Sequence, residues 1–345
     1  MNELAQMLSE SVTRLFEDLA TREVLEEAET GIWPEKLWKE LEEMGVMQAL
    51  VPEESGGVGA SWNEVESVIR AAGRYCVPVP LVETMVASWL CSNCGLEVPK
   101  GVLTLAAGGK LEGSGSKVKG MLDRVPWGGR ATAILAEAVI DGEDSIVLLE
   151  PDSGDKLAGQ NLAKEPRDTL SFSNCAVLAG NPLPKDFSKG FVELYGALAR
   201  SVQITGALEN LLGESVQFAN DRVQFGRPIG KFQAIQHQLA ILASETAAAR
   251  AASSAACIAA DSKKAIFEIA VAKARSGEAA GIGSKIAHAT HGAIGFTYEH
   301  ALHFTTRRLW SWRAEFGAEA VWRDRLGEKA LDRGAENLWT DLVSQ

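Results

Sequence analysis

Residues 222–237 read Arg222-Val223-Gln224-Phe225-Gly226-Arg227-Pro228-Ile229-Gly230-Lys231-Phe232-Gln233-Ala234-Ile235-Gln236-His237. Gly226, Pro228 and Gly230 interrupt a helical pattern, so the stretch predicts a short turn between two helices. Arg222 and Gln224 precede the turn; Phe232 and Gln233 follow it. A guanidinium can grip a phosphate through two parallel hydrogen bonds. With an aromatic ring and amide groups beside it, the turn could hold a phosphorylated aromatic ligand. The alternative is a capped helix–helix turn with no ligand.

The flanks extend the helical reading. Phe187 to Leu212 reads as one long helix. Ala234 to Ile258 and Ile266 to Ala289 are Ala-rich and carry high helix propensity. Helices apolar on more than one side need partners, which predicts a four-helix bundle over 183–345 that also packs against another subunit. Residues 100–182 differ. Apolar runs shorten and turn signals multiply. GVLTLAA, TAILAEAVI, SIVLLEP and TLSFSNCAVLA read as strands, and Asp141-Gly142 as a hairpin turn. This predicts a small antiparallel β domain, a barrel being one form. Residues 1–99 return to helical spacing: Leu4 to Leu19, a second helix with Pro34 in its first turn and Gly45 closing it, Trp62 to Ala72, and Leu81 to Leu90. The whole is a mainly α chain with a small central β domain.

Composition bounds the function. Hydrophobic residues make up 46% and charged residues 23%, ordinary for a globular chain. The net charge is -12 and no basic block stands out, so nucleic acid is not an expected partner. Arg307, Arg308, Arg313, Arg323 and Arg325 alternate with acids and read as a solvated or salt-bridged face. No apolar run reaches the length of a membrane span, and the acidic amphipathic start is not a signal peptide. The five cysteines lack a disulfide or zinc pattern, Cys91 and Cys94 included. Reduced thiols suit a cytoplasmic protein. His288 and His291 are three apart, as are His300 and His303. Neither pair has a third ligand, so no metal is expected. His291 is placed in a turn, and His237 as a packing or capping residue.

The 222–237 segment resembles the C-terminal signature of the acyl-CoA dehydrogenase family, R-x-Q-F-G-R-P-I-G-x-F-Q-A-I-Q-H. Two more segments are similar to that family: Val51-Pro52-Glu53-Glu54-Ser55-Gly56-Gly57 to its V-P-E-E-x-G-G loop, and His291-Gly292-Ala293-Ile294-Gly295-Phe296-Thr297 to its H-G-G-x-G-F-T turn. The resemblance implies the family's fold: an N-terminal helical domain (1–99), a middle β domain (100–182) and a C-terminal four-helix bundle (183–345). It implies FAD, an acyl-CoA substrate, and removal of hydrogens from its α and β carbons. Arg222 and Gln233 match residues that hold the pyrophosphate and adenosine of a neighbouring subunit's flavin. Gln224, Phe225, Phe232 and Gly292 belong to the same cofactor-binding set.

The chain departs from that family where a base is needed. Proton abstraction next to a thioester requires a positioned carboxylate. Phe316 falls where one version of the family keeps its Glu, and Ala199 where the other does. Glu315 is one residue away, which on a helix turns the side chain by about 100°. The flavin-ring loop T-E-P-x-x-G-S-D has no counterpart. Trp127, in Val125-Pro126-Trp127-Gly128-Gly129, stands either beside a flavin ring or in the core. Ala289 and Ala293 replace the Gln and Gly of the late turn. The pattern resembles the non-catalytic subunit of heterotetrameric (α2β2) acyl-CoA dehydrogenases of bacterial steroid side-chain degradation. No catalytic residue is then expected here, and a paralogous subunit supplies the base. The alternatives are a self-sufficient homo-oligomeric enzyme using Glu315 and a flavin-free structural subunit.

Overall fold

The computed structural model describes residues 3–262 and 265–343. The first part is helical: α1 (Glu3–Leu19), α2 (Arg22–Glu29), α3 (Glu35–Glu43), α4 (Trp62–Arg74) and α5 (Leu81–Asn93). Pro34 is the N-cap of α3 rather than a residue of its first turn. Gly45 follows the C-cap Met44 in the left-handed region, the usual helix-ending conformation of glycine. Ser61 and Glu64 form a reciprocal capping box on α4. Asp261, 199 residues further on, reaches back to accept from Trp62 N at 2.7 Å. That tertiary cap ties α4 to the bundle.

The sheet has eight strands: β1 (Leu103–Ala106), β2 (Gly108–Ser114), β3 (Lys117–Pro126), β4 (Ala133–Ile140), β5 (Glu143–Leu149), β6 (Asp155–Leu157), β7 (Arg167–Ala176) and β8 (Ala179–Pro182). The order runs β6-β7-β3-β2-β4-β5-β8, with β1 also on β4. Most pairs are antiparallel, as expected, but β1 and β2 both run parallel to β4. Asp141 and Gly142, both at positive φ, turn the β4–β5 hairpin. Strands β2 and β3 carry no strand signal in their sequence. Their glycines look like turns, yet Gly109 and Gly120 sit against facing backbone carbonyls, 2.1 Å from where a Cβ would lie. Glycine is there for close strand approach, not for a loop.

The last part comprises α6 (Phe191–Asp221), a two-stranded ribbon of β9 (Val223–Gln224) and β10 (Arg227–Pro228), then α7 (Gln233–Ala260), α8 (Ile266–His291), α9 (Leu302–Trp312), α10 (Glu319–Arg333) and α11 (Leu338–Val343). The long helix begins at Phe191, not Phe187, because Gly190 takes a left-handed conformation. Glu137 on β4 then caps its first turn, accepting from Gly190 N and Val192 N. Helices α6, α7 and α8 pack on one another, with α9 against α6 and α8. Where α4 crosses α6, a Cβ on Gly73 would meet the Gln203 carbonyl at 2.0 Å. One on Gly206 would meet the Arg70 carbonyl at 1.9 Å. Two facing glycines therefore set that crossing distance. A continuous apolar core runs from the first helices through β1, β4 and β5 to α6, α7 and α8.

Candidate functional site

The 222–237 segment is more than a turn. Gln224 pairs with Arg227 across a two-residue loop formed by Phe225 (φ 53°) and Gly226 (φ 78°). A bulky residue in the left-handed region is uncommon and strained. Phe225 is also 91% exposed, so local packing does not compensate for its conformation. Its ring meets the edge of Phe232, centroids 6.1 Å apart. Arg227 lies over Phe232 at 4.2 Å.

This ribbon forms one wall of a surface cavity of about 780 Å³, within the size range of cofactor sites. Arg222, Gln224, Phe225 and Phe232 line it, and Gly292 completes the opposite wall together with Ala289 and Ala293. Five of the six cofactor residues singled out from sequence thus converge. Gln233 does not line the cavity; it starts α7 and is exposed. Among the described residues no carboxylate pairs with Arg222, which leaves its guanidinium available to an anion. Its place at the C-cap of α6 also suits a cation. A Cβ on Gly292 (φ 65°) would meet nothing within 4 Å, so backbone faces open space there. His291, the first residue of the late turn motif, also lines the cavity, as do Phe218 and Thr290, which went unmarked in the sequence. Phe218 lies one helical turn before Arg222, a spacing that could have pointed to it. An unpaired cation, one exposed and one half-buried ring, and bare backbone fit the phosphate and aromatic parts of a dinucleotide such as FAD. His291 is the last residue of α8 rather than part of the turn. His237 is exposed and does not pack as expected.

The region expected to hold a catalytic base is built in the opposite way. Phe316 (φ 52°) lies against α6, where a Cβ on Gly196 would meet its ring at 2.3 Å. Gly196 is three residues from Ala199, so the two family positions for the base converge on one volume. A phenyl ring and charged side chains crowd it, and a cavity of about 230 Å³ opens beside Glu315 and Phe316 toward Leu105, Asp123 and Pro126. Glu315 accepts from Arg167 Nε at 2.8 Å and from Arg200 Nε at 2.8 Å. Arg200 also binds Glu83 at 2.5 Å and Gln203. Arg167 binds Glu165 at 2.9 Å, and Arg308 lies 3.0 Å from Glu165. Trp312 Nε1 donates to Glu165, and Asn161 to both Glu165 and Glu315. Three arginines and three glutamates therefore balance one another in the interior. Arg308 is among them, 1% exposed and paired with Glu165, so of the two expected settings it has the salt-bridged one and not the solvated one. Arg307, Arg313 and Arg325 do form salt bridges, to Glu29, Glu319 and Glu193.

Burial pushes the Glu315 carboxyl up, but Arg167 and Arg200 outweigh that and hold it well below the ordinary carboxylate range. A base that binds protons so weakly is poorly matched to neutral pH. Lys273 is fully buried and its ammonium donates to Arg313 O at 2.8 Å and Gly317 O at 2.6 Å, bracing this loop. Burial pushes its pKa down to about 7. Trp127 is buried under the Arg167 guanidinium, 4.9 Å from its ring centroid, and is a core residue. Cys91 and Cys94 are free and buried. No group of three or more His, Cys, Asp or Glu side chains suited to a metal occurs among the described residues.

Comparisons with known proteins agree with this architecture. A C-terminal acyl-CoA dehydrogenase domain matches residues 194–331, and an N-terminal acyl-CoA dehydrogenase domain matches residues 2–100. Together they span more than half of the chain. The acyl-CoA dehydrogenase IpdE2 of Mycolicibacterium smegmatis is 29% identical over 315 residues, covering 89% of this chain and 93% of that protein. A chain of the ChsE4-ChsE5 complex from Mycobacterium tuberculosis has the same fold, with TM-score 0.87 at 22% identity over 95% of this chain and 97% of that one. The Tcur3481-Tcur3483 steroid acyl-CoA dehydrogenase variant gives TM-score 0.86 at 24% identity, covering 94% and 96%. PigA, solved with FAD and proline, gives 0.84 at 17% identity, covering 97% and 99%. No described helix is long and apolar enough to cross a membrane. The chain belongs to the acyl-CoA dehydrogenase family, whose members are oxidoreductases acting on CH–CH bonds.

Proposed function

We propose that this chain is the half of a two-subunit, FAD-dependent acyl-CoA dehydrogenase that lacks the catalytic Glu and completes the flavin site of its partner. The observation that carries this reading is the contrast within the chain. The volume shared by Ala199 and Phe316 carries no free carboxylate, its nearest acid Glu315 being held by Arg167 and Arg200, while the larger cavity around Arg222 carries an unpaired cation. Arg222 and Gln224 would hold the pyrophosphate, Phe225 and Phe232 the adenosine end, and Gly292 would let backbone approach it. Gln233 would join them only from across the interface. Bound FAD would supply the hydride acceptor for α,β-dehydrogenation of the acyl-CoA. The partner would bring the base, which this chain's own residues do not offer. An α2β2 assembly with a paralogue is the form this requires, with the bundle from residue 183 onward facing the partner. The ChsE4-ChsE5 complex and the steroid variant are two-component relatives in fold. They support a polycyclic acyl-CoA from steroid side-chain breakdown as the substrate class, handled in the cytoplasm.

Glu315 is the residue on which a self-sufficient enzyme would depend. Its two arginine partners and its lowered proton affinity disfavour that role.

Visible absorption and light scattering decide the matter, on the chain alone and after co-expression with a neighbouring paralogue. We expect flavin absorbance near the usual yellow band only in a mixed tetramer. A lone chain that carries stoichiometric FAD and is bleached by an acyl-CoA overturns the proposal. A mixed tetramer whose flavin ignores Arg222→Ala leaves this chain a flavin-free structural subunit.

A further inference from the structure

Four of the chain's five histidines lie close together at the end of α8 and just beyond it, His288 and His291 in α8, His300 in the turn and His303 in α9, and His291 lines the cavity. Their hydrogen bonds assign their protons. His291 Nδ1 lies 2.8 Å from Ala287 O, which only accepts, so Nδ1 carries the proton and Nε2 is bare. That Nε2 is buried without a partner. Leu302 N donates to His300 Nδ1 at 3.1 Å, so in His300 the proton sits on Nε2. Thr306 Oγ1 donates to Leu302 O and therefore accepts from His288 Nε2 at 3.1 Å, leaving His288 Nδ1 bare and buried without a partner. His303 Nδ1 donates to His300 O at 2.8 Å. All four rings fit their surroundings as neutral imidazoles.

The rings also hold the turn by stacking. Phe218 lies 4.4 Å from His291, whose other neighbour is His300 at 4.7 Å. His288 is stacked between Phe296 and Trp310. Among the charges on the packed elements, Arg22 opposes a proton on His300 and Arg307 opposes one on His303, while Glu29 favours one on His303. Arg22 of α2 donates to Tyr298 O and Glu299 O. Arg307 of α9 and Lys164 both pair with Glu29 of α2 and flank the Tyr298 ring. His300 additionally caps the start of α9, where the helix dipole disfavours a cation. Protonation there would remove the acceptor for Leu302 N and place a charge at the wrong helix end.

We infer that residues 292–301 form a proton-operated latch on the cavity, closed while His291 and His300 are neutral and released when His300 takes a proton. Burial lowers the proton affinity of all four imidazoles, and Arg22 lowers that of His300 further. The latch lies in this chain alone. Its effect on FAD rests on the function proposed above.

Hydrogen exchange of the full chain, followed by mass spectrometry as pH is lowered below the ordinary histidine value of about 6.5, tests it. After correction for intrinsic rates, the peptide spanning 292–302 should lose protection by about tenfold or more while α6 and α7 keep theirs. His300→Asn retains an acceptor for Leu302 N but does not titrate, and should flatten that dependence. Equal protection at both pH values, or a His300→Asn variant as pH-sensitive as the parent, overturns the latch. Should the variant not fold, NMR of histidine-labelled parent protein serves instead, with free imidazole as the reference. A His300 signal titrating at or above the ordinary histidine value of about 6.5 also overturns it. Flavin binding is read separately in the mixed tetramer. A latch that opens in a chain unable to support flavin leaves this inference standing and removes the function.

Discussion

Arg200 and Arg222 sit on the same helix and live in opposite surroundings. Arg200 is 1% exposed and tied to Glu83, Glu315 and Gln203. Arg222, at the C-cap of α6, faces an open cavity with no acid paired to it among the described residues. A buried guanidinium must be matched by carboxylates because desolvation is costly. An exposed one is stable in water and can wait for a ligand. The first arginine is spent on internal carboxylates, and the second is left free to meet an anion. Members of one fold can differ in function through such local changes.

The contrast breaks most visibly at Glu315. Glu315→Gln would leave Arg167 and Arg200 short of charge, and breaking a buried pair costs about 3–5 kcal/mol. Chemical denaturation should show a large stability loss, with flavin in the surviving mixed tetramer unchanged. A stable Glu315→Gln protein that binds flavin but no longer turns over would restore Glu315 as a base.

Arg222→Ala should do the reverse. A hydrogen bond to a charged group contributes about 1.5–3 kcal/mol, so flavin should bind roughly ten- to a hundredfold more weakly. The unfolding midpoint of the flavin-free chain should not move. A flavin affinity unaffected by this change, measured by fluorescence titration, would remove the cavity from the cofactor site.

Glu137→Ala removes the tertiary cap of α6 that orients both arginines. Loss of an N-cap costs about 0.5–2 kcal/mol, and thermal unfolding should report it. Because α6 carries both regions, stability and flavin affinity should fall together.

Acid should separate the regions by pH. The histidines behind the cavity have folded proton affinities below their unfolded ones. Stability from keeping them neutral is present above about 6.5 and declines as pH falls below it. Glu315 is also depressed, so its contribution is complete above about 4.5 and is lost only as pH falls through its much lower folded value. The turn at 292–301 should therefore loosen before the Glu315 network does. Simultaneous loss of both, by exchange and by near-UV dichroism, would mean that they are one cooperative unit. The smallest effect concerns Cys91, whose thiol burial pushes up to about 12. It should resist alkylation in the native chain at neutral pH.

Much of this was legible in the chain. Helical spacing located α1, α3 to α8 and the order of helix, sheet and helix. The motif at 222–237 and the turn at Gly292 marked five residues that do share one cavity. Phe316 and Ala199 marked, from sequence alone, the two positions without a carboxylate that the proposed function rests on. Other features were hidden for physical reasons. Strands β2 and β3 are glycine-rich because their backbones touch, and glycine in a sequence reads as a turn. The ribbon at 223–228 is too short for periodicity. Arg167, Glu165 and Glu83 are scattered along the chain, and nothing in their local sequence says that they are buried together.

The sequence alone determined what each segment could be, since helix propensity, turn chemistry and the presence or absence of a carboxylate are local properties. Tertiary structure decided which charges are paired. Glu315 could have been a base or a structural anion, and Arg222 a salt bridge or a ligand site. The choice depends on long-range neighbours and on solvent, because the free energy of a charge is set by its surroundings and not by its place in the chain.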